Sequence, residues 1–318
     1  MFKSLLFSTL CILLPPLAAA VPVTPAKLVA SYWLDHSAGL DISGLSFCNG
    51  ELLAVSDKNS AGFYAVRIGP GSAQLEYRPL AVGLETPPME SEGLKARLVT
   101  LLQPAPAADF EGITCDEQGV FLVSERHHRI AVVAPSLRAA WMSRRWSEAA
   151  RERGYMQKFN GASEGLVKAG GDFWIAIERD RRGLVRFAQG SNLPEFFELP
   201  AAAGLDFRGR SLDLTGLAFY DGDLFTLERN AFAVCRRSLA DLQAKWCIEY
   251  RVIEEAPENV YRETRYGKGE GLAVDESGIY VVLDNNNVGR AADPGDRRAL
   301  LLHLAFPEGF GESEVSLP

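Results

Sequence analysis

Three glutamates, Glu111, Glu164 and Glu270, each stand directly before a glycine and an aliphatic residue. Ser43 and Thr215 hold the same place in two further copies, S-G-L and T-G-L. In every copy a short turn and an apolar run follow. The run ends on Asp57, Glu125, Glu178, Glu228 or Asp284, 12 or 13 residues after the glycine. Asp41, Asp109 and Asp213 precede three of the leading positions by two residues, so alternation along an extended chain puts them on the same side. Carboxylate oxygens gathered at one point suit a hard cation, and hydroxyls and water complete such a shell. The expected metal ligands are therefore Glu111, Glu164 and Glu270, with Ser43 and Thr215 in the remaining places. The expected ion is calcium.

So many carboxylates cannot ionise together without compensation. A base follows the second acid in four copies, as Lys58, Arg126, Arg179 and Arg229, and Asn285 stands there in the fifth. Two readings stay open. The bases either close a salt-bridge ring between neighbouring units, or they hold the anionic oxygens of a substrate. On the second reading Arg126, Arg179 and Arg229 are candidate catalytic residues, and His127, followed by His128, is a candidate proton carrier. Calcium in such a site would polarise the scissile group of a phosphate or carboxylate ester. The H-E-x-x-H spelling of a zinc protease is absent.

The elements that must position these residues follow from the repeat itself. Its glycines lie 68, 53, 51 and 55 residues apart. After each second acid comes another alternating run: FYAVRI at 63–68, IAVVA at 130–134, GLVRFA at 183–188, FAVCRR at 232–237 and ALLLHLAF at 299–306. A fourth run shows in QLEYRPLAV at 74–82 and CIEYRVIE at 247–254. Units of roughly 50 residues with four antiparallel strands are propeller blades. The expected fold is all-β, a five-bladed β-propeller. Its fifth unit lacks a last strand, and KLVASYWL at 27–34 has no partner of its own. Pairing 27–34 with 299–306 closes the ring and removes an open edge. First strands line the channel, and an antiparallel second strand returns its acid to the same face. Two stretches stand outside the pattern. Residues 84–108 form a proline-rich insertion with a spare Glu92-Gly93-Leu94, and 136–153 read as a helix capped by Ser136 with Gly154 beyond its end. Trp141 and Trp146, five residues apart, fall out of helical phase there.

The chain of 318 residues is 47% hydrophobic and 23% charged, an ordinary globular balance. Its net charge is −8, or −9 without residues 1–20, which argues against nucleic-acid or anionic-membrane partners. The expected partner is a small anionic or ester substrate. Lys3, an apolar run from Leu5 to Leu14, Pro15-Pro16 and an A-x-A end at Ala18–Ala20 read as a cleaved export signal. The run is too short to span a bilayer. Residues 21–318 are then one mature domain, periplasmic or secreted and not membrane-spanning. Four cysteines remain. Cys235 and Cys247 lie on neighbouring runs and are the expected disulfide, while Cys48 and Cys115 either join adjacent units or stay as buried thiols.

The stretch D-F-E-G-I-T at 109–114 with FLVSER at 121–126 resembles the SdiA-regulated bacterial propellers. The recurrent E-G-L with E-R, and DRRALLL at 296–302, are similar to the "esterase-like activity of phytase" domain. The resemblance spans residues 27–306 and implies an exported five-bladed propeller with bound calcium, distantly related to NHL-repeat proteins. It further implies hydrolysis of phosphate or carboxylate esters. Gluconolactonase-type propellers also open the inner strand with a metal-binding Glu, which keeps a lactonase in view. A non-catalytic, calcium-stabilised propeller that binds a ligand or envelope protein is the third possibility, because one fold hosts many functions. Ser43 and Thr215 depart from an all-glutamate ring.

Overall fold

A computed structural model describes residues 21–81, 83–85, 87, 108–158 and 162–309. The expected export signal and most of the 84–108 insertion, with Glu92-Gly93-Leu94, lie outside the described residues. Two strands, Val23–Pro25 (β1) and Leu28–Asp35 (β2), precede the first repeat. The repeats then supply strands in order. The first gives Ile42–Cys48 (β3), Glu51–Ser56 (β4), Gly62–Gly69 (β5) and Ser72–Pro79 (β6). The second gives Phe110–Asp116 (β7), Gly119–Ser124 (β8), Arg129–Val133 (β9) and Ala139–Trp141 (β10). The third gives Ser163–Ala169 (β11), Asp172–Ile177 (β12), Gly183–Phe187 (β13) and Glu195–Glu198 (β14). The fourth gives Leu214–Tyr220 (β15), Asp223–Glu228 (β16), Ala233–Ser238 (β17) and Ala244–Glu249 (β18). The last gives Gly269–Asp275 (β19), Gly278–Leu283 (β20) and Leu300–Leu304 (β21). Among the described residues two short α-helices, Ser147–Glu152 (α1) and Arg251–Glu254 (α2), and one 3-10 turn, Arg229–Ala231, accompany these strands, so the fold is nearly all-β. Among the described residues no helix is long and apolar enough to cross a membrane.

Second strands such as β12 (DFWIAI) and β20 (GIYVVL) are apolar on both faces because each sheet is covered on both sides. One core cluster, for instance, packs Phe225, Leu227 and Trp246 of the fourth unit against Leu272, Val281 and Leu302 of the fifth. Within each repeat the strands pair antiparallel in sequence order. β1 adds in parallel to the outer edge of β18. β2 pairs antiparallel with β21, from Leu28 opposite Leu304 to Trp33 opposite Leu300, as the unmatched KLVASYWL run requires. Its last two residues continue in parallel beside β6, so the first and last repeats share one eight-stranded sheet. The first strands pack in a ring: β3 on β7, β7 on β11, β11 on β15, β15 on β19, and β19 on β3.

The repeated glycine is explained by that ring. A Cβ on Gly112 would lie 2.6 Å from the backbone nitrogen of Leu166 in the next first strand, and one on Gly44 would lie 2.9 Å from the Cα of Gly112. Only a residue without a side chain lets neighbouring first strands approach so closely.

The hairpins joining first to second strands are all two-residue turns, such as Asn49-Gly50 and Asp221-Gly222, both with positive φ at each position. The connections at the opposite end are long, over 80–109, 142–162, 199–213 and 250–268. Binding and catalytic residues concentrate on such connections, which makes this the candidate functional end.

Two expectations are corrected. Residues 136–153 are not one helix: the open edge of β9 captures 139–141 as β10, and only 147–152 remain helical, ending before Gly154 at φ +80°. Trp146 is fully buried and donates its indole N–H to Ser163 Oγ at 3.0 Å, whereas Trp141 is half-buried. The run 247–254 is strand only to Glu249 and then turns into α2. Both cysteine pairs are disulfides. Cys235 and Cys247 face each other across β17 and β18, and Cys48–Cys115 ties first strand β3 to first strand β7. Two disulfides are consistent with an exported protein.

Candidate functional site

Each first strand breaks register with its second strand at the residue that leads the repeat. The ladder skips between Ile42 and Gly44, Phe110 and Gly112, Ser163 and Leu166, Leu214 and Gly216, and Gly269 and Gly271. Ser43, Glu111, Glu164, Thr215 and Glu270 thus sit in β-bulges, which bend a strand and re-aim its side chain. The long-loop end of the ring therefore carries five re-aimed positions.

These positions do not behave alike. Ser43 Oγ donates to the Phe110 carbonyl at 2.6 Å, and Thr215 Oγ1 donates to the Gly269 carbonyl at 2.8 Å. Both hydroxyls are buried and stitch one first strand to the next. The three glutamates divide. Glu270 accepts from Arg229 Nη1 at 2.5 Å. The same guanidinium reaches Glu178 at 2.7 Å and Asp213 at 2.6 Å through Nη2. Arg179 pairs with Glu178, and its Nε lies 3.8 Å from Asp213. This side of the mouth is a closed ion-pair cluster that spans three repeats. Burial raises the Asp213 carboxyl, but Arg229 and its neighbours outweigh it and hold it below its ordinary value. Burial wins for Glu178, which is pushed up to about 7 despite Arg229.

The other side is acidic. Asp57, Asp109 and Glu111 place one carboxylate oxygen each within 4.8 Å of the others. Lys58 Nζ lies 3.1 Å from Asp41 and also pairs with Asp57. Burial, then Glu125 and Asp57, push Asp109 up to about 7. Burial pushes Asp57 up to about 6, with Lys58 opposing. Glu111 and Glu164, half-buried at the channel, have no hydrogen-bond or ion-pair partner among the described residues. Both lie well above the ordinary carboxylate value. Burial is the main cause, then Glu164 and Glu125 for Glu111, and Glu178 and Glu125 for Glu164. Asp284, also raised by burial and then by Asp41 and Glu270, accepts the Asn286 N–H at 3.0 Å.

Glu228 leaves the group. It is fully buried between repeats three and four, bonded to Arg182 at 2.5 and 3.0 Å and to Arg237 at 3.0 Å. Burial opposes ionisation there, but Arg182 and Arg237 hold it down to about 2. Among the candidate catalytic residues, Arg179 and Arg229 belong to the ion-pair cluster, and Arg126 is engaged as well. His127 is buried with its ring edge-on to Trp141 at 5.3 Å. Burial, then Arg151, lower His128 to about 3 and keep its ring neutral. Gly161–Gly165 spells G-A-S-E-G, the letters of a nucleophile elbow. Ser163 nevertheless opens a strand rather than a strand-to-helix turn, is fully buried and accepts from Trp146, so it is not a nucleophile. Asp57 and Asp109 are the members of the acidic group that the leading-residue pattern did not select. The D-x-E spacing of Asp109 and Glu111 was the available signal.

Hard oxygens from three carboxylates suit a calcium-sized ion. Ligands 2.3–2.6 Å from a common centre lie at most about 5 Å apart, as these do.

No family model matches the sequence, and no curated protein matches it. Solved structures do. A glutaminyl cyclase of Myxococcus xanthus is 12% identical, with 90% of this chain and 98% of that one covered and a TM-score of 0.56. An aldose sugar dehydrogenase of Streptomyces coelicolor, bound to PQQ, is 12% identical over 90% and 100%, TM-score 0.45. A gluconolactonase of Xanthomonas campestris is 12% identical over 91% and 99%, TM-score 0.41. All three are β-propeller enzymes, and the likeness to the cyclase shows a shared propeller fold. At this identity the likeness carries the fold alone.

Proposed function

We propose that the protein is an exported five-bladed propeller enzyme that binds a divalent cation, calcium by its donor chemistry, and hydrolyses carboxylate esters or lactones. This keeps the esterase-like resemblance and narrows the phytase-like one. The observation that carries it is the group Asp57, Asp109 and Glu111 beside Glu164, which has no hydrogen-bond or ion-pair partner among the described residues. Asp57, Asp109 and Glu111 hold the cation. Once bound, the ion supplies a Lewis acid for an ester carbonyl and offsets the crowded charge. Glu164, with its raised proton affinity, takes a proton from the attacking water and returns it to the leaving alkoxide. Arg179 and Arg229 are already held by Glu178, Asp213 and Glu270. A phosphate dianion would find them engaged, whereas a neutral carbonyl needs no free guanidinium.

The test is a screen of the mature protein over carboxylate esters, lactones and phosphate monoesters, with calcium and with chelator. Ester or lactone turnover that chelator and Glu164→Gln both abolish is expected. Turnover of phosphate monoesters alone would contradict it. Cation binding without turnover would leave a non-catalytic propeller.

A further inference from the structure

We propose that Arg210, Tyr266 and Arg265 form an anion subsite at the channel mouth that takes a remote carboxylate or phosphate of the substrate. That this anion belongs to a substrate rests on the hydrolase reading above; that the arginines take an anion does not.

Two loops of the functional end meet here, 199–213 and 250–268. The Arg265 guanidinium lies 5.1 Å from the Tyr266 ring centre and that of Arg210 lies 5.9 Å from it, both within cation–π reach. Tyr266 is 39% exposed and Arg265 is exposed, so the pair of cations faces solvent. Arg210 is further fixed by donating Nη2 to the Thr264 carbonyl at 3.3 Å. Its Nη1 is buried and finds no acceptor. A buried guanidinium donor without an acceptor is unfavourable, and an anionic oxygen removes the penalty. Among the described residues neither Arg210 nor Arg265 is ion-paired. The nearby carboxylate, Glu263, is taken by Lys268 Nζ at 2.6 Å and by the Arg265 backbone N–H. Two guanidiniums held on one aromatic ring, with Glu263 feeling the Arg210 charge but salt-bridged to Lys268 instead, stand out in a chain of net charge −8. Planar forks of this kind match carboxylate and phosphate oxygens.

The subsite adjoins the channel. Gly267 packs so closely that a Cβ there would lie 2.1 Å from the Arg229 carbonyl oxygen, and its N–H donates to Asn230 Oδ1 at 3.2 Å. Tyr266 is four residues before Glu270, at most about 14 Å of extended chain. A substrate with its anionic group several methylenes from the ester spans that distance.

The experiment has two arms on the full mature chain: wild type, Arg210→Gln with Arg265→Gln, and Arg138→Gln, an exposed arginine at the opposite end, as control. The first arm titrates inorganic phosphate and, separately, succinate by calorimetry at low salt without calcium. We expect at least tenfold weaker binding in the double variant and no change in the control. Equal binding in wild type and double variant, or none in wild type, overturns the subsite. The second arm compares 4-nitrophenyl acetate with 4-nitrophenyl monoesters of succinic, adipic and suberic acids in calcium. Wild type should prefer one monoester at least tenfold through KM. The double variant should lose that preference and keep its acetate rate. Anion binding that depends on the two arginines, with no ester turned over, refutes the hydrolase reading while the anion site stands. Turnover without any preference for a monoester refutes the substrate role.

Discussion

The carboxylates at the channel mouth are held unequally, and the inequality has a pH signature. Asp57, Asp109 and Glu178 are pushed up to about 6, 7 and 7, and burial raises Glu111 and Glu164 well above the ordinary carboxylate value as well. Each binds its proton more tightly folded than unfolded, so unfolding releases protons across this range and stability falls as pH rises. Without divalent cations the melting temperature should therefore drop between about pH 4, the unfolded carboxylate range, and about pH 7, the folded values of Asp109 and Glu178. Millimolar calcium should flatten the drop, because a cation takes the place of the protons. A melting temperature that rises over this interval in chelator would contradict the burial-driven shifts. At this scale the sequence was partly legible. The leading Glu111, Glu164 and Glu270 do open the first strands at one end. Spacing alone could not show that Arg229 closes on Glu270, or that Ser43 and Thr215 turn to neighbouring carbonyls. Those outcomes depend on side-chain choices between strands more than 40 residues apart.

The first strand is the element that makes the site, through its bulge and its glycine. Gly112→Ala places a Cβ 2.6 Å from the Leu166 backbone nitrogen, which cannot rotate away. The substitution should cost about 2 kcal/mol or more in urea unfolding. A change within a few tenths of a kcal/mol would show that the ring has slack. Glu228 serves the joint between the third and fourth repeats rather than the site. Glu228→Gln leaves Arg182 and Arg237 buried with a neutral partner, and should destabilise by about 3 kcal/mol. Its cation response should remain wild type, read as the shift in melting temperature on adding calcium; loss of that response would place Glu228 in the site. Strand identity was readable from alternating and continuous apolar runs. The stretch 136–153 was not, because β10 is a three-residue strand defined by the open edge it covers rather than by its own pattern.

Closure of the whole molecule was readable before any geometry, because a repeat short of one strand and a lone N-terminal strand imply each other. The extra reach of β2 to β6, and β1 on β18, had no sequence signal, since two- and three-residue pairings need no periodicity. The ring holds its five bulged positions around one axis, so a cation bound between repeats is a tie across the molecule. Binding only the folded state adds about 2.7 kcal/mol at a hundredfold excess over Kd. For a chain of this length that is a rise of roughly 5 °C. The most direct measurement is the melting temperature of the mature protein in millimolar calcium and in chelator, for wild type and for Asp109→Asn with Glu111→Gln. Wild type should gain that rise in calcium. The double variant should stay folded, because the mutual repulsion goes with the ligands, and should give the same melting temperature in both solutions. A wild type that ignores every divalent cation tried, or a double variant that responds as wild type does, would contradict a cation site at these carboxylates.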